Sequence, residues 1–427
     1  MQLKRRQLSE GVYFNLIPTE KFKAGFLQVR FILPQSKQTA AKNALVFKTA
    51  LRGTEKYPTT TAMRKRYDEL YATSVNSNVW KYGDMQIVAL QSSPIDQKYV
   101  IDDTDITAGV IDLFEQVILH PLTEDGAFKA EYVESEKKRQ IEQVRSEINN
   151  KGKYADTRCT EIMFEGDPYG VSAAGSIDDI EAICSKCLYE QYKTLISSAR
   201  VEIFAVGNFD EEKTADGFAR IFEKIERKNI CSPTITPLSG DIKEVKTVYE
   251  HQSVTQGKLV LGYRTGCDSK QPDYYVMEVF NEIFGGSACS KLFMNVREKL
   301  SLCYYCSSGL IGEKGAMLIR SGIEFANEKK AVDEINVQLQ KMKDGEISDG
   351  EIEDAKKGQI DGLMRVEDRL SGMVGWYFGA IMRGEEPVSP EKRIEQIKSV
   401  TKEQIVEKAK GVVLDTYYFL CGEESGK

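Results

Sequence analysis

The chain has 427 residues, 41% of them hydrophobic, which is length and apolar content for about two or three domains with cores of their own. Its formal charge of -7 argues against a nucleic-acid surface, which would need a basic face. No apolar run is long enough to span a bilayer, and the basic start Met1–Gln7 leads into no signal-peptide core, so no membrane association and a cytoplasmic location are expected.

Taken in chain order, Gly25–Pro34 reads as a strand, and a helix follows through Ala44-Leu45-Val46-Phe47-Lys48-Thr49-Ala50-Leu51 to a stop at Gly53-Thr54, with Pro58 beyond. Asn76–Leu90 reads as paired strands. Within Ser74–Leu90 the residues themselves read as a paired strand with Trp80 and Tyr82 packed against a helix. His120, before Pro121, reads as a helix-end residue. A further helix is expected to start near Thr123–Gly126 and to carry Glu136-Lys137-Lys138-Arg139-Gln140-Ile141-Glu142-Gln143-Val144. Ile180, Ile183 and Glu190-Gln191 precede a strand over Ala199–Gly207.

Lys228–Val245 holds Ser232, Pro233, Pro237, Ser239 and Gly240 without periodicity and reads as a linker. After it the same layout returns. Lys258–Tyr263 answers the first strand, Gly285-Gly286-Ser287 the first helix stop, and Ser307–Glu324 the paired strands. Val332, Ile335, Leu339 and Met342 mark an amphipathic helix, and Ser348 with Glu351 forms a capping-box signal for the next. Ile394, Ile397, Glu403-Gln404 and the strand Thr416–Gly422 complete the copy. The chain is therefore expected to be α+β and duplicated: a domain over 1–227, a linker over 228–245 and a second domain over 246–427, each a mostly antiparallel sheet with helices packed on it.

Nine cysteines are an odd number, so they cannot all pair within one chain, and free thiols fit a reducing compartment. Cys184/Cys187 and Cys303/Cys306 have C-x-x-C spacing but lie in different halves, too far apart for a zinc ribbon, and read as small packed thiols.

The first helix and its stop keep the frame of the insulinase/pitrilysin-like (M16) metallopeptidases, which the chain resembles over essentially its whole length. In that family the helix carries H-x-x-E-H: two histidines on one face share a zinc ion, and the glutamate activates a metal-bound water. Here the matching residues are Ala44, Phe47 and Lys48, and Gln143 stands where the family has its third ligand, two turns after Glu136. His120 and His251 are the only histidines, and both are distant in sequence. The resemblance thus implies a degenerate site with no metal and no catalytic residue in this chain alone. Lys48 is expected to turn toward that site and pair with Glu136. That Ser74–Leu90 also offers an edge to an extended peptide is an expectation that comes only from this family resemblance.

The strongest positive match is Gly285-Gly286-Ser287 through Ser290-Lys291-Leu292-Phe293 and Arg297-Glu298-Lys299 to Tyr304. In active members an arginine and a tyrosine so spaced bind substrate backbone and stabilise the attacked carbonyl; Arg297 and Tyr304 occupy those positions. Asn150–Cys159 resembles a bacterial non-catalytic subgroup, the YfmF-like proteins. The resemblance implies a subunit, not an enzyme by itself, that pairs with a zinc-bearing M16 homologue to form a heterodimeric peptidase. It would enclose a peptide substrate and lend Arg297 and Tyr304, with zinc held by the partner. The alternative is a non-enzymatic scaffold or assembly protein of the same fold.

Overall fold

Phe26–Pro34 (β3) is buried at every position but the last, a pattern that fits a strand covered on both faces. In the computed structural model, which describes residues 2–238 and 242–422, this strand lies inside a six-stranded sheet. The other members are β1 (Lys4–Ser9), β2 (Val12–Pro18), β4 (Val75–Tyr82), β5 (Met85–Ser92) and β8 (Arg200–Gly207), in the order β1-β2-β8-β3-β5-β4. A short hairpin, β6 (Thr123–Glu124) with β7 (Ala127–Phe128), stands apart. The second sheet contains β9 (Lys246–Gln252), β10 (Gly257–Arg264), β11 (Cys303–Ile311), β12 (Ala316–Ile323) and β13 (Val413–Gly422), in the order β11-β12-β10-β13-β9.

The two orders superpose: β4-β5-β3-β8-β2 corresponds to β11-β12-β10-β13-β9. In each sheet a single neighbouring pair is parallel, β2 with β8 and β9 with β13. The other pairings are antiparallel, as the α+β reading expects. Both hairpins, β4–β5 and β11–β12, fall where the sequence places paired strands.

The helices of the first half are α1 (Ala40–Ala50), α2 (Thr60–Glu69), α3 (Ile106–Leu119), α4 (Ala130–Asn149), α5 (Lys151–Met163), α6 (Ile177–Glu181), α7 (Ser185–Ser198) and α8 (Glu211–Glu223). Those of the second half are α9 (Tyr274–Asn281), α10 (Glu328–Lys343), α11 (Asp349–Met364), α12 (Leu370–Arg383), α13 (Pro390–Lys398) and α14 (Lys402–Lys410). The capping box expected at Ser348 is formed with Glu351. The helix start expected at Thr123–Gly126 is instead the β6–β7 turn, where Asp125 and Gly126 take φ of 51° and 72°; left-handed backbone cannot open a right-handed helix, and α4 begins at Ala130.

The molecule divides into two compact units that are not contiguous in sequence, unlike the expected blocks 1–227 and 246–427. One gathers Met1–Arg145, Val171–Thr234 and Glu367–Pro387; the other gathers Ser146–Gly170, Ile235–Val366 and Val388–Lys427. Of the expected linker 228–245, residues 239–241 lie outside the described residues. The reason is which sheet each of two helices buries itself on. α5 places Ala155, Cys159 and Met163 in a core with Val260, Leu318 and Tyr418 of the second sheet. Gly262 permits this approach, because a Cβ there would come within 2.7 Å of the Met163 sulfur.

α12 belongs to the first unit. Its Phe378 lies under the Arg30 guanidinium of β3 at 4.1 Å, with the rings of Trp80 and Phe204 at 5.1 and 5.2 Å from the same group. Burial pulls Arg30 down to about 9, partly offset by Glu202. The aromatic faces and the Gln28 carboxamide oxygen, 2.7 Å from Nε, replace part of the hydration that Arg30 loses. The opposite side of this sheet carries the larger core, in which Phe31, Phe47, Phe114, Phe218 and Phe222 are all buried.

Candidate functional site

α1 runs into the first core and explains the fate of the positions that the family pattern assigns to zinc. Ala44 and Phe47 are 2% and 0% exposed, and the Phe47 ring lies 4.9 Å from Phe31. These two side chains are apolar packing, with no donor atom for a metal. Lys48, in the last turn, reaches α4, where its ammonium donates to the side-chain oxygens of Gln140 and, at 3.3 Å, Gln143.

Glu136, the partner expected for Lys48, is held by two other cations. Glu136 is buried, and its carboxylate lies 3.4 Å from an Arg52 nitrogen and 3.0 Å from one of Arg139. Two guanidiniums with fixed planar donors take the carboxylate, and the lysine meets neutral amides one and two turns further along. A cation, two apolar groups and an amide do not fit a zinc ion. No group of three or more His, Cys, Asp or Glu side chains capable of holding a metal occurs among the described residues.

The histidines are used elsewhere. His120 follows the last turn of α3, with Nδ1 3.5 Å from Glu55, as a helix-end residue should be. His251, on β9, has Nδ1 3.0 Å from the Gly422 carbonyl. Behind α1, sequence reasoning missed a buried amide chain: Gln191 donates to Asn43 at 2.8 Å, Asn43 to Gln86 at 2.8 Å, and Gln86 to the carbonyls of Ala40 and Ala173 at 3.0 and 2.7 Å. Each of these polar atoms is satisfied, so the chain fixes α1 against β5, α7 and the 173 segment. No local pattern announces it, since the members come from four separate stretches.

The edge strand β4 borders the same region. Its Trp80 stacks on Arg30, and its Tyr82 meets Phe378 edge-on at 5.5 Å, so the packed-aromatic reading holds. The strand is also the edge of its sheet, as a peptide-adding strand must be. Tyr67 of α2 is pushed up to about 12 by burial, partly countered by the Val75 backbone, and stays a neutral hydroxyl at any physiological pH.

In the second unit, Arg297 lies on a π-helical turn over Phe293–Lys299. Its guanidinium covers the Phe293 ring at 4.6 Å and pairs with Glu298 at 3.3 Å. The chain then reverses through Ser301, at φ 50°; its N–H donates to the Arg297 carbonyl, and that of Leu302 to the Val296 carbonyl, each at 3.0 Å. Tyr304 follows at the start of the edge strand β11, 60% exposed. Its hydroxyl donates to Glu324 at 2.6 Å, and that bond and the charge behind it raise the phenol above its ordinary value.

The nine cysteines are free, and of the two C-x-x-C pairs only Cys184 departs from the reading as buried or half-buried thiols. Cys184 is exposed and caps α7: its N–H donates to the Cys187 sulfur at 2.9 Å, and the Cys187 N–H returns to the Cys184 sulfur at 3.2 Å. The hydrogen bond from Cys187 lowers the Cys184 thiol, while burial and that same bond raise Cys187. In the second pair, Cys306 is buried and raised by its hydrogen bond to Cys303 and by burial.

A relative in Bacillus subtilis (strain 168), the "Probable inactive metalloprotease YmfF", is 33% identical over 421 residues, 97% of this chain and 96% of the relative. The chain belongs to the M16 metallopeptidase family. The profile described as "Peptidase M16 inactive domain" matches residues 186–359. The crystal structure of a conserved protein from Enterococcus faecalis V583 is similar at 26% identity and a TM-score of 0.93, covering 100% of both chains. That of a peptidase M16 inactive domain from Pseudomonas fluorescens, 17% identical, shares the fold with a TM-score of 0.80 over 100% of both chains. The non-catalytic bacterial subgroup that the sequence resembles is represented by the Bacillus subtilis relative, whose name is YmfF and not YfmF. Within the M16 family this is a non-catalytic member. Among the described residues no helix is long and apolar enough to cross a membrane.

Proposed function

We propose that this chain is the non-catalytic subunit of a heteromeric M16-type zinc peptidase. A zinc-bearing homologue in the cytoplasm is the partner, and this chain contributes peptide-binding surface together with Arg297 and Tyr304. The observation that carries the reading is an asymmetry between the two units. At the positions assigned to zinc, Ala44 and Phe47 are sealed in the core. The Arg297 side chain keeps 41% of its exposure and Tyr304 keeps 60%, with donor groups near solvent and nothing in this chain for them to catalyse. Donors so placed suit an oxyanion that develops on substrate bound to another subunit.

The test is to purify the chain alone and together with a homologue carrying intact H-x-x-E-H, and to measure zinc content and peptide cleavage for each. The reading expects zinc and cleavage only when the homologue is present. Arg297→Ala with Tyr304→Phe should lower kcat/KM of the complex by about 100-fold, the size of a lost oxyanion donor. Zinc and cleavage by this chain alone would overturn the reading. A stable complex whose cleavage is unchanged by the double variant would favour a scaffold.

A further inference from the structure

Beside the start of β4 the first unit holds a cavity of about 530 Å³ whose charged lining is Lys48, Arg52, Arg64, Arg139 and Glu136. Four cations thus face one carboxylate, on a chain whose overall charge is -7. The single carboxylate is already divided between Arg52 and Arg139, at 3.4 and 3.0 Å. Arg64 adds a third guanidinium from the exposed side of α2. Guanidiniums present paired donors that match a carboxylate in two-point contact. The remaining wall is backbone and side chains of Val75, Asn76 and Ser77, the beginning of the edge strand. A segment paired with that edge would carry its side chains past the cations.

We propose that this pocket binds a carboxylate of a peptide laid along β4, so that the chain selects acidic peptide segments. The proposal rests on the peptide-binding reading above and specifies its substrate class. A site that cannot hold zinc would in this way hold the opposite charge.

The experiment uses the full chain and fluorescently labelled, N-acetylated peptides of one extended sequence: a C-terminal amide with a central Glu, its Gln twin, and the Gln twin with a free C-terminal carboxylate. Binding of the Glu or the free-carboxylate peptide at least 10-fold tighter than the Gln amide, weakening with added salt, is the expected result. Arg64→Gln, at an exposed side chain, should remove most of that preference without lowering Tm; Arg139→Gln should remove it too, with a lower Tm because Arg139 also pairs with the buried Glu136. Equal affinity for all three peptides, or no binding of any, would overturn the proposal. So would displacement of the Glu peptide by inorganic phosphate at matching concentration, which would mark a small-anion site. None of these outcomes bears on zinc content or cleavage by the complex, so the two readings fail separately.

Discussion

Lys48 on α1 donates to Gln143 on α4 at 3.3 Å. These are two of the positions where the family pattern expects ligands of one metal ion, and here they bond to each other. The separation between the helices is therefore kept by a hydrogen bond, of the order of 1 kcal/mol, where active relatives use metal ligation. Lys48 and Gln143 are at the wet end of the site; Ala44 and Phe47 are at the dry end. This gradient decides how each position tolerates change.

Phe47→Glu should cost about 3–5 kcal/mol, combining the loss of a fully buried aromatic with an unpaired buried carboxyl. Lys48→His, at a half-buried side chain that donates to the amides of Gln140 and Gln143, should cost about 1 kcal/mol or less. Urea unfolding of both variants checks the contrast. A Phe47→Glu protein as stable as the parent would show that the core has not closed over this position.

Glu250 should give acid sensitivity to the second unit. Burial by itself would raise its carboxyl, but hydrogen bonds from Tyr154, Tyr418 and Gln252, at 2.5, 2.9 and 2.7 Å, outweigh it and hold the group below its ordinary value. A folded pKa below the unfolded one means that the stabilisation is complete above the unfolded value and drains away as pH falls through the folded one. Glu250→Gln should therefore lower stability by about 2 kcal/mol at neutral pH and flatten the fall below about pH 4.5. Thermal melts from pH 3 to 7 distinguish this from a uniform loss.

With a limiting alkylating reagent near neutral pH, Cys184 should be modified ahead of the other thiols, because it is exposed and its thiolate is favoured by Cys187 and the start of α7. Cys159, whose thiol burial pushes up to about 12, and the buried Cys306 should react last. Peptide mapping after a short pulse reads the order. Preferential labelling of Cys289, the other exposed thiol, would contradict it.

Lys314 is fully buried and donates to Asp167 at 2.8 Å and to the Thr236 carbonyl. Lys314→Met keeps the length of the side chain but strips Asp167 of this cation, and should destabilise by about 3 kcal/mol. Lys314→Arg should recover little, since the pocket is shaped for a compact ammonium. Chemical denaturation of both variants supplies the measurement.

The strands, the two hairpins and the Ser348 capping box were legible because each rests on a few adjacent residues. The repeat was legible for the same reason, and the matching strand orders follow from it. What could not be read is what depends on distant partners. Nothing local to Lys151–Met163 or Leu370–Arg383 says which sheet each will cover. That Arg52 and Arg139 would both converge on Glu136 could not be read, because their match to a carboxylate is geometric. The basic pocket draws on residues from 48 to 139 and has no motif. The Asp125–Gly126 turn was missed because a helix-start composition and a left-handed turn use the same residue types.

The placement of α12 in the first unit sets a timetable for biosynthesis. A ribosome has made every strand of the first sheet by Gly207, yet the helix whose Phe378 covers Arg30 and Tyr82 arrives only after residue 370. Until then the sheet presents a bare aromatic face, and a chain truncated before residue 370 would leave it so. The first unit thus waits for a helix made more than 160 residues after its last strand, and the second sheet waits longer still, for β13 at Val413–Gly422.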